Sequence, residues 1–251
     1  MTPHADRFRR SQYFPDLDTF TSLAREGNII PVYREILADM ETPVSAMAKI
    51  DDGAYAYLLE SVEGGEQWAR YSFLGVGAFL VLKGDHLGIH VLKGDTVTPY
   101  PAGSTPLEAL RSVMRQYHPV SIKGLPRFYG GAVGYLSYDV AHQLDEIPER
   151  EKSRLDQLPF VFLLTDMVLI FDNVAKTIKV VSCVHTTGKD LSHAYSAALE
   201  RIAAMVDRLR KSRPDDSPQP RSPKCVTFQS NLSQGDFEKM VLATKEYICA
   251  G

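Results

Sequence analysis

The run from Phe160 to Phe171 leaves this chain little freedom in what it can fold into. It reads Phe-Val-Phe-Leu-Leu-Thr-Asp-Met-Val-Leu-Ile-Phe, nearly continuously apolar apart from Thr165 and Asp166. A strand with one wet face alternates; an unbroken apolar run of this length is covered on both faces. It therefore reads as an interior strand. Lys176 to Val184 reads as a second strand, joined to the first through Asp172-Asn173. The apolar run Pro159 to Leu164 is far too short to cross a bilayer, and Asp166 follows closely.

Further strands are marked by turn residues. Ala54-Tyr55-Ala56-Tyr57-Leu58-Leu59 is apolar and aromatic, Gly64-Gly65 permits a sharp reversal, and Tyr71-Ser72-Phe73-Leu74 resumes the extended pattern until Gly75 and Gly77 interrupt it. Glu60, Glu63 and Glu66 crowd the bend, with Arg70 just beyond. This cluster reads either as a solvated hairpin tip or as a strand end that presents the Ser61 hydroxyl and backbone polar groups to a small zwitterion. Phe79 to Leu82 and His86 to Leu92, punctuated by Lys83-Gly84-Asp85 and Lys93-Gly94-Asp95, form an antiparallel meander. Ile29 to Tyr33 is extended, and Pro31 confines it to an edge or a strand entry. The glycines of Phe128 to Asp139 match neither G-x-G-x-x-G nor a Walker loop. Glycines in a strand instead allow another backbone or a large side chain to come close, with Tyr135 and Tyr138 packed nearby.

Helical periodicity appears in four places. Asp18-Thr19 opens a short helix with Phe20, Leu23 and Ala24 on one side and Gly27 as its C-cap. Thr105-Pro106 opens another, with Leu107, Leu110, Val113, Met114 and Tyr117 on one face. Arg111 and Arg115, four apart, make a solvated face or an anion contact. Asp190-Leu191 begins a long helix reaching Leu209, with Leu191, Ala194, Ala198, Ile202, Met205, Val206 and Leu209 inward. Ser233 caps the last, which carries Phe237, Met240, Val241, Thr244 and Ile248 on one stripe. Between these two, Lys211 to Pro223 is rich in Pro, Ser, Asp and Arg and reads as a flexible linker. The fold class is thus α+β, a mainly antiparallel sheet with flanking helices. The domain pattern is 1–210, a linker at 211–223, and a second unit from 224 to 251.

The formal net charge of −3 and the lack of a basic block give nucleic acid no electrostatic footprint. No signal-peptide core follows the charged N-terminus, so the expectation is a cytoplasmic protein with no membrane partner. Cys183, Cys225 and Cys249 are widely spaced, as reduced packing residues are, and lack metal-ligand spacing. The histidines are scattered, and Asp139 and His142 are expected at the surface. No Ser/His/Asp set or His/Cys/Asp/Glu cluster assigns a catalytic residue or a metal ligand.

Three stretches carry a family resemblance. Leu-Leu-Glu-Ser-Val-Glu-Gly-Gly-Glu followed by Ala-Arg-Tyr-Ser-Phe-Leu-Gly (58–75), Gly-Gly-x-x-Gly-Tyr-x-Ser-Tyr-Asp (130–139) and the tail from Asn231 to Gly251 resemble the N-terminal part of the anthranilate synthase component I family of chorismate-utilising enzymes. Thr42-Pro43-Val44-Ser45 is similar to a family segment preceding the hairpin. The family often places an Arg soon after the Asp matched by Asp139; Ala141-His142 stand there instead. The resemblance implies that Leu59, Glu60 and Ser61 belong to the site where L-tryptophan binds as feedback inhibitor. It implies a lyase that works with a glutamine amidotransferase subunit (component II) and Mg2+. It also implies that residues 224–251 begin a chorismate-binding catalytic domain continuing beyond Gly251, so that the chain alone is inactive and leaves sheet edges uncovered. The same region of aminodeoxychorismate synthase component I, and a non-enzymatic amino-acid-binding module, are the alternatives.

Overall fold

The computed structural model describes residues 13–60, 70–85, 88–138, 140, 158–211 and 229–251. The chain divides into two compact units, Met1–Pro214 and Asp215–Gly251.

The first unit is built on one antiparallel ladder between β4 (Tyr71–Asp85) and β8 (Phe160–Asp172), which runs from Tyr71 opposite Asp172 to Gly84 opposite Phe160. Each long strand spends its outer edge on two partners in succession. Along β8, β7 (Gly131–Leu136) occupies residues 160–165 and β9 (Thr177–His185) occupies 167–172. Along β4, β3 (Ala56–Leu59) occupies 73–76 and β5 (Gly88–Lys93) occupies 81–85. β2 (Ile29–Leu37) extends the sheet beyond β9, with two-residue β1 (Tyr13–Phe14) outside it; β6 (Thr96–Pro99) continues beyond β5. Every pairing among these nine described strands is antiparallel, as the α+β reading expected. Pro31 costs no ladder bond, because β1 reaches only Tyr33 and Arg34 and leaves the outer edge of β2 free at that residue.

Two glycines behave differently from the sequence expectation: β4 does not stop at Gly75 and Gly77 but runs through both. At Gly75 the ring of Tyr57 on β3 lies across the backbone, and a Cβ there would fall 2.1 Å from it. Gly77, at φ +66°, opens a bulge, and the register shifts between Ala78 and Leu80. The extra residue inverts the alternation of inward and outward side chains. Before it, Leu74 and Val76 pack into the core beneath α1 (Leu17–Leu23), α2 (Pro43–Ile50) and α4 (Leu191–Arg210). After it, Leu80 and Leu82 pack instead with Ala109 and Val113 of α3 (Pro106–Met114).

The helices begin where side chains can satisfy their free N–H groups. In α2 the Thr42 hydroxyl accepts from Ser45 N at 3.1 Å and Ser45 Oγ accepts from Thr42 N at 2.9 Å. α3 repeats this box with Thr105 and Glu108, and Asp190 Oδ1 caps α4 by accepting from Ser192 and His193 N. All the residues expected to face inward on α4 are buried or half-buried, and Tyr195 joins them with its hydroxyl donated to Pro15 O at 2.8 Å. Lys49 Nζ donates to Leu209 O and Arg208 to Ile50 O, fastening α2 to the end of α4. Gly27 is not the C-cap of α1. Ala24 is, and Gly27 lies against His118, where a Cβ would fall 2.3 Å from the carbonyl oxygen.

In the second unit α5 (Gln234–Ala250) starts at Ser233, whose hydroxyl accepts from Asp236 N. Its expected stripe of Phe237, Met240, Val241, Thr244 and Ile248 is exposed throughout, as is Cys249, which is therefore no packing residue. The expected linker from residue 212 on, and Cys225 with it, lies outside the described residues.

Candidate functional site

β3 ends at Leu59, paired with Phe73 and 42 % exposed; Glu60 follows it, also exposed. Ser61 and Gly64-Gly65 lie outside the described residues. Among the described strands β3 pairs only with β4, and no other described strand takes up the backbone groups of its outer edge. Where the chain re-enters the sheet, Arg70 Nη2 donates to Asp172 Oδ2 at 2.8 Å and its Nε lies 3.2 Å from both carboxylate oxygens. The guanidinium also lies 4.9 Å from the centre of the Tyr71 ring. Burial alone would raise the Asp172 carboxyl. The donors around it (Arg70 and the Ala175 and Val174 N–H groups) outweigh burial and hold it below the usual carboxylate range.

A second feature sits at the seam where β8 exchanges β7 for β9. The Tyr57 hydroxyl, two residues before Leu59 on β3, lies 3.3 Å from Thr165 Oγ1 in the buried interior. Thr165 borders a cavity of about 160 Å³, which Leu59 and Glu60 do not line. Around it the Cys183 thiol donates to Tyr129 O at 3.3 Å, and burial pushes its pKa up to about 12, so it stays protonated. Burial also holds His185 below its usual value.

The structure brings Leu59 and Glu60 together at one strand end and leaves them apart from the cavity. Sequence reasoning missed Tyr57, Arg127, Thr165, Cys183 and His185 as neighbours. The polar Thr165-Asp166 break in the apolar run was the one available signal, since that break marks the seam. Asp139 and His142 lie outside the described residues. Arg111 and Arg115 are exposed on α3. Gly134 does serve close approach, because a Cβ would fall 1.9 Å from Val161 O. Tyr138, however, is 88 % exposed rather than packed, and Tyr135 is half exposed with its hydroxyl donated to Leu158 O. No helix among the described residues is long and apolar enough to cross a membrane.

Residues 61–251 match the family model described as chorismate binding enzyme. The chain is 33 % identical over 244 residues to anthranilate synthase component 1 of Acetivibrio thermocellus, covering 95 % of this chain and 49 % of that protein. It is 34 % identical to the Synechocystis protein of the same name, covering 94 % and 49 %, and 35 % identical to that of Acinetobacter calcoaceticus, covering 94 % and 47 %. It thus spans about half the length of these curated relatives. In fold it resembles the crystal structure of anthranilate synthase component I from Streptococcus pneumoniae, with a TM-score of 0.55 at 21 % identity, covering 86 % of this chain and 45 % of that one.

Proposed function

Because the chain belongs to the family of chorismate binding enzymes, we propose that it is the N-terminal, tryptophan-sensing part of anthranilate synthase component I. The observation that carries this reading is the 33–35 % identity spread over nearly all of this chain but only about half of each relative. In this reading the complete lyase converts chorismate and ammonia to anthranilate and pyruvate in the cytoplasm, and a glutamine amidotransferase subunit delivers the ammonia. The 251 residues alone are catalytically inactive. In this reading the Mg2+ of the complete enzyme is held outside this chain; among the described residues no three His, Cys, Asp or Glu side chains come together as ligands for such an oxygen-ligated cation.

The effector site is built on Leu59, Glu60 and Ser61. The open edge of β3 supports this placement by offering backbone donors and acceptors to the inhibitor's charged groups, while Leu59 gives its ring an apolar contact. The opposite wall comes from the catalytic half. Inhibition then works through tighter binding to the inactive arrangement of the two halves than to the active one.

Calorimetry tests the half-site directly: this chain is expected to bind L-tryptophan weakly or not at all, and micromolar binding overturns the reading. In a full-length version Ser61→Phe should relieve inhibition with little change in kcat. Undiminished tryptophan sensitivity in that variant would count against the assignment.

A further inference from the structure

The seam cavity holds about 160 Å³, close to the roughly 150 Å³ of an apolar protein cavity known to take up benzene. It therefore suits one six-membered ring. Three aromatic side chains meet edge to face along its wall. Phe79 and His185 lie 4.5 Å apart at 75°, Tyr117 and His185 5.4 Å apart at 86°, and Phe79 and Tyr117 5.9 Å apart at 84°. Such a corner offers both ring faces and ring edges, the two surfaces against which a further flat ring packs.

The polar groups of the lining restrict the ligand further. Thr165 Oγ1 is engaged by Tyr57, and the protonated Cys183 thiol by Tyr129 O. His185 has no hydrogen bond or ion pair among the described residues, and burial favours its neutral form. Its neutral ring can therefore donate one hydrogen bond and accept another. Among the described residues of the lining Arg127 is the only permanently charged side chain, it is exposed, and no described carboxylate lines the cavity beside it. Among the described residues its guanidinium has no ion-pair partner. A planar guanidinium donates two parallel hydrogen bonds to a carboxylate.

We infer that the cavity is a binding site for a single-ring aromatic carboxylate, its ring held by Phe79, Tyr117 and His185 and its carboxylate by Arg127. This site is separate from the β3 end. The two share a link, because Tyr57 on β3 and Thr165 on the cavity wall hold each other by their hydroxyls.

The test is a calorimetric titration of the full 251-residue chain with benzoate, with benzyl alcohol as the uncharged ring of similar size. Benzoate should bind saturably, with a Kd on the order of 1 mM or tighter. Arg127→Gln, a change at an exposed position, should weaken benzoate about tenfold and leave benzyl alcohol unchanged. Met114→Trp, which fills the cavity from α3, should abolish both; if that variant fails to fold, Arg127→Gln decides alone. Ser61→Phe should leave benzoate affinity untouched, which separates this site from the tryptophan site. Absence of saturable benzoate binding to the unaltered chain, or equal benzoate affinity in Arg127→Gln, overturns the inference. So does benzoate binding that survives in folded Met114→Trp or that Ser61→Phe abolishes.

Discussion

Where β8 runs beside β9, Val168 to Phe171 are buried to 2 % exposure or less. Helices α1, α2 and α4 contribute to one covering cluster, while Tyr33, Tyr117 and Tyr129 belong to another. Where the same strand runs beside β7, Val161 and Phe162 stay partly exposed, and α3 is the only described helix in the clusters around them. The backbone pairing is the same antiparallel ladder at both ends. What differs is the apolar cover. Burial sets most of the stability of a sheet, and hydrogen bonds that merely replace those to water contribute little net.

Truncating a side chain at each end tests that contrast. Leu169→Ala, in the fully covered half, is expected to cost about 2–5 kcal/mol. Val133→Ala, on the half-covered β7, should cost about 1 kcal/mol or less. Denaturant midpoints measured at constant slope compare the two, and equal losses would break the distinction. An effect between these two is expected at the junction of the two halves. Gly77→Ala meets no neighbouring atom, so its cost is that of forcing a left-handed backbone, roughly 1–2 kcal/mol. A loss well below that range would mean the bulge relaxes and the halves are less firmly phased.

The gentlest test is pH. Both Asp172, in the covered half, and His185, at the seam, have pKa values lower in the folded than in the unfolded chain. In each case the unfolded state binds more protons between the two values, so stability rises with pH across that window. For His185 the loss begins as pH falls below 6.5, and His185→Phe should remove that slope. For Asp172 it begins below 3.8, and Asp172→Asn should flatten the acid limb. Thermal melts between pH 3 and pH 8 (a range set by the ordinary values of both groups) would separate them.

The sequence already carried the sheet. Its apolar run predicted β8, Asp190 predicted the start of α4, and Lys93-Gly94-Asp95 marks the turn from β5 to β6, whereas Lys83-Gly84-Asp85, read as a turn, is still paired strand at the end of β4. α2 was missed, although Thr42-Pro43 is the same opening as Thr105-Pro106; eight residues give too little periodicity to stand out. Gly75 and Gly77 were misread because a glycine's local signal is the same whether the strand ends, bulges or admits a ring. Only the partner strand, carrying Tyr57, decides. That Leu59 and Glu60 stand where a strand ends was legible in the sequence, whereas the seam cavity was not. Its walls come from residues 29 to 185, and no local pattern joins side chains so far apart along the chain.

The bulge at Gly77 works as a half-period phase slip. Upstream of it the even-numbered residues of β4 serve the α4 side; downstream they serve α3, so one unbroken strand belongs to two cores. Removing the extra residue there would make the ladder regular and keep Leu80 opposite Leu164 and Leu82 opposite Phe162, whereas removing Val81, beyond the bulge, would turn Leu82 away from α3. Outside the bulge the spacing of this strand is therefore under tighter constraint than its composition: an apolar exchange along it is tolerable, whereas a one-residue deletion is not.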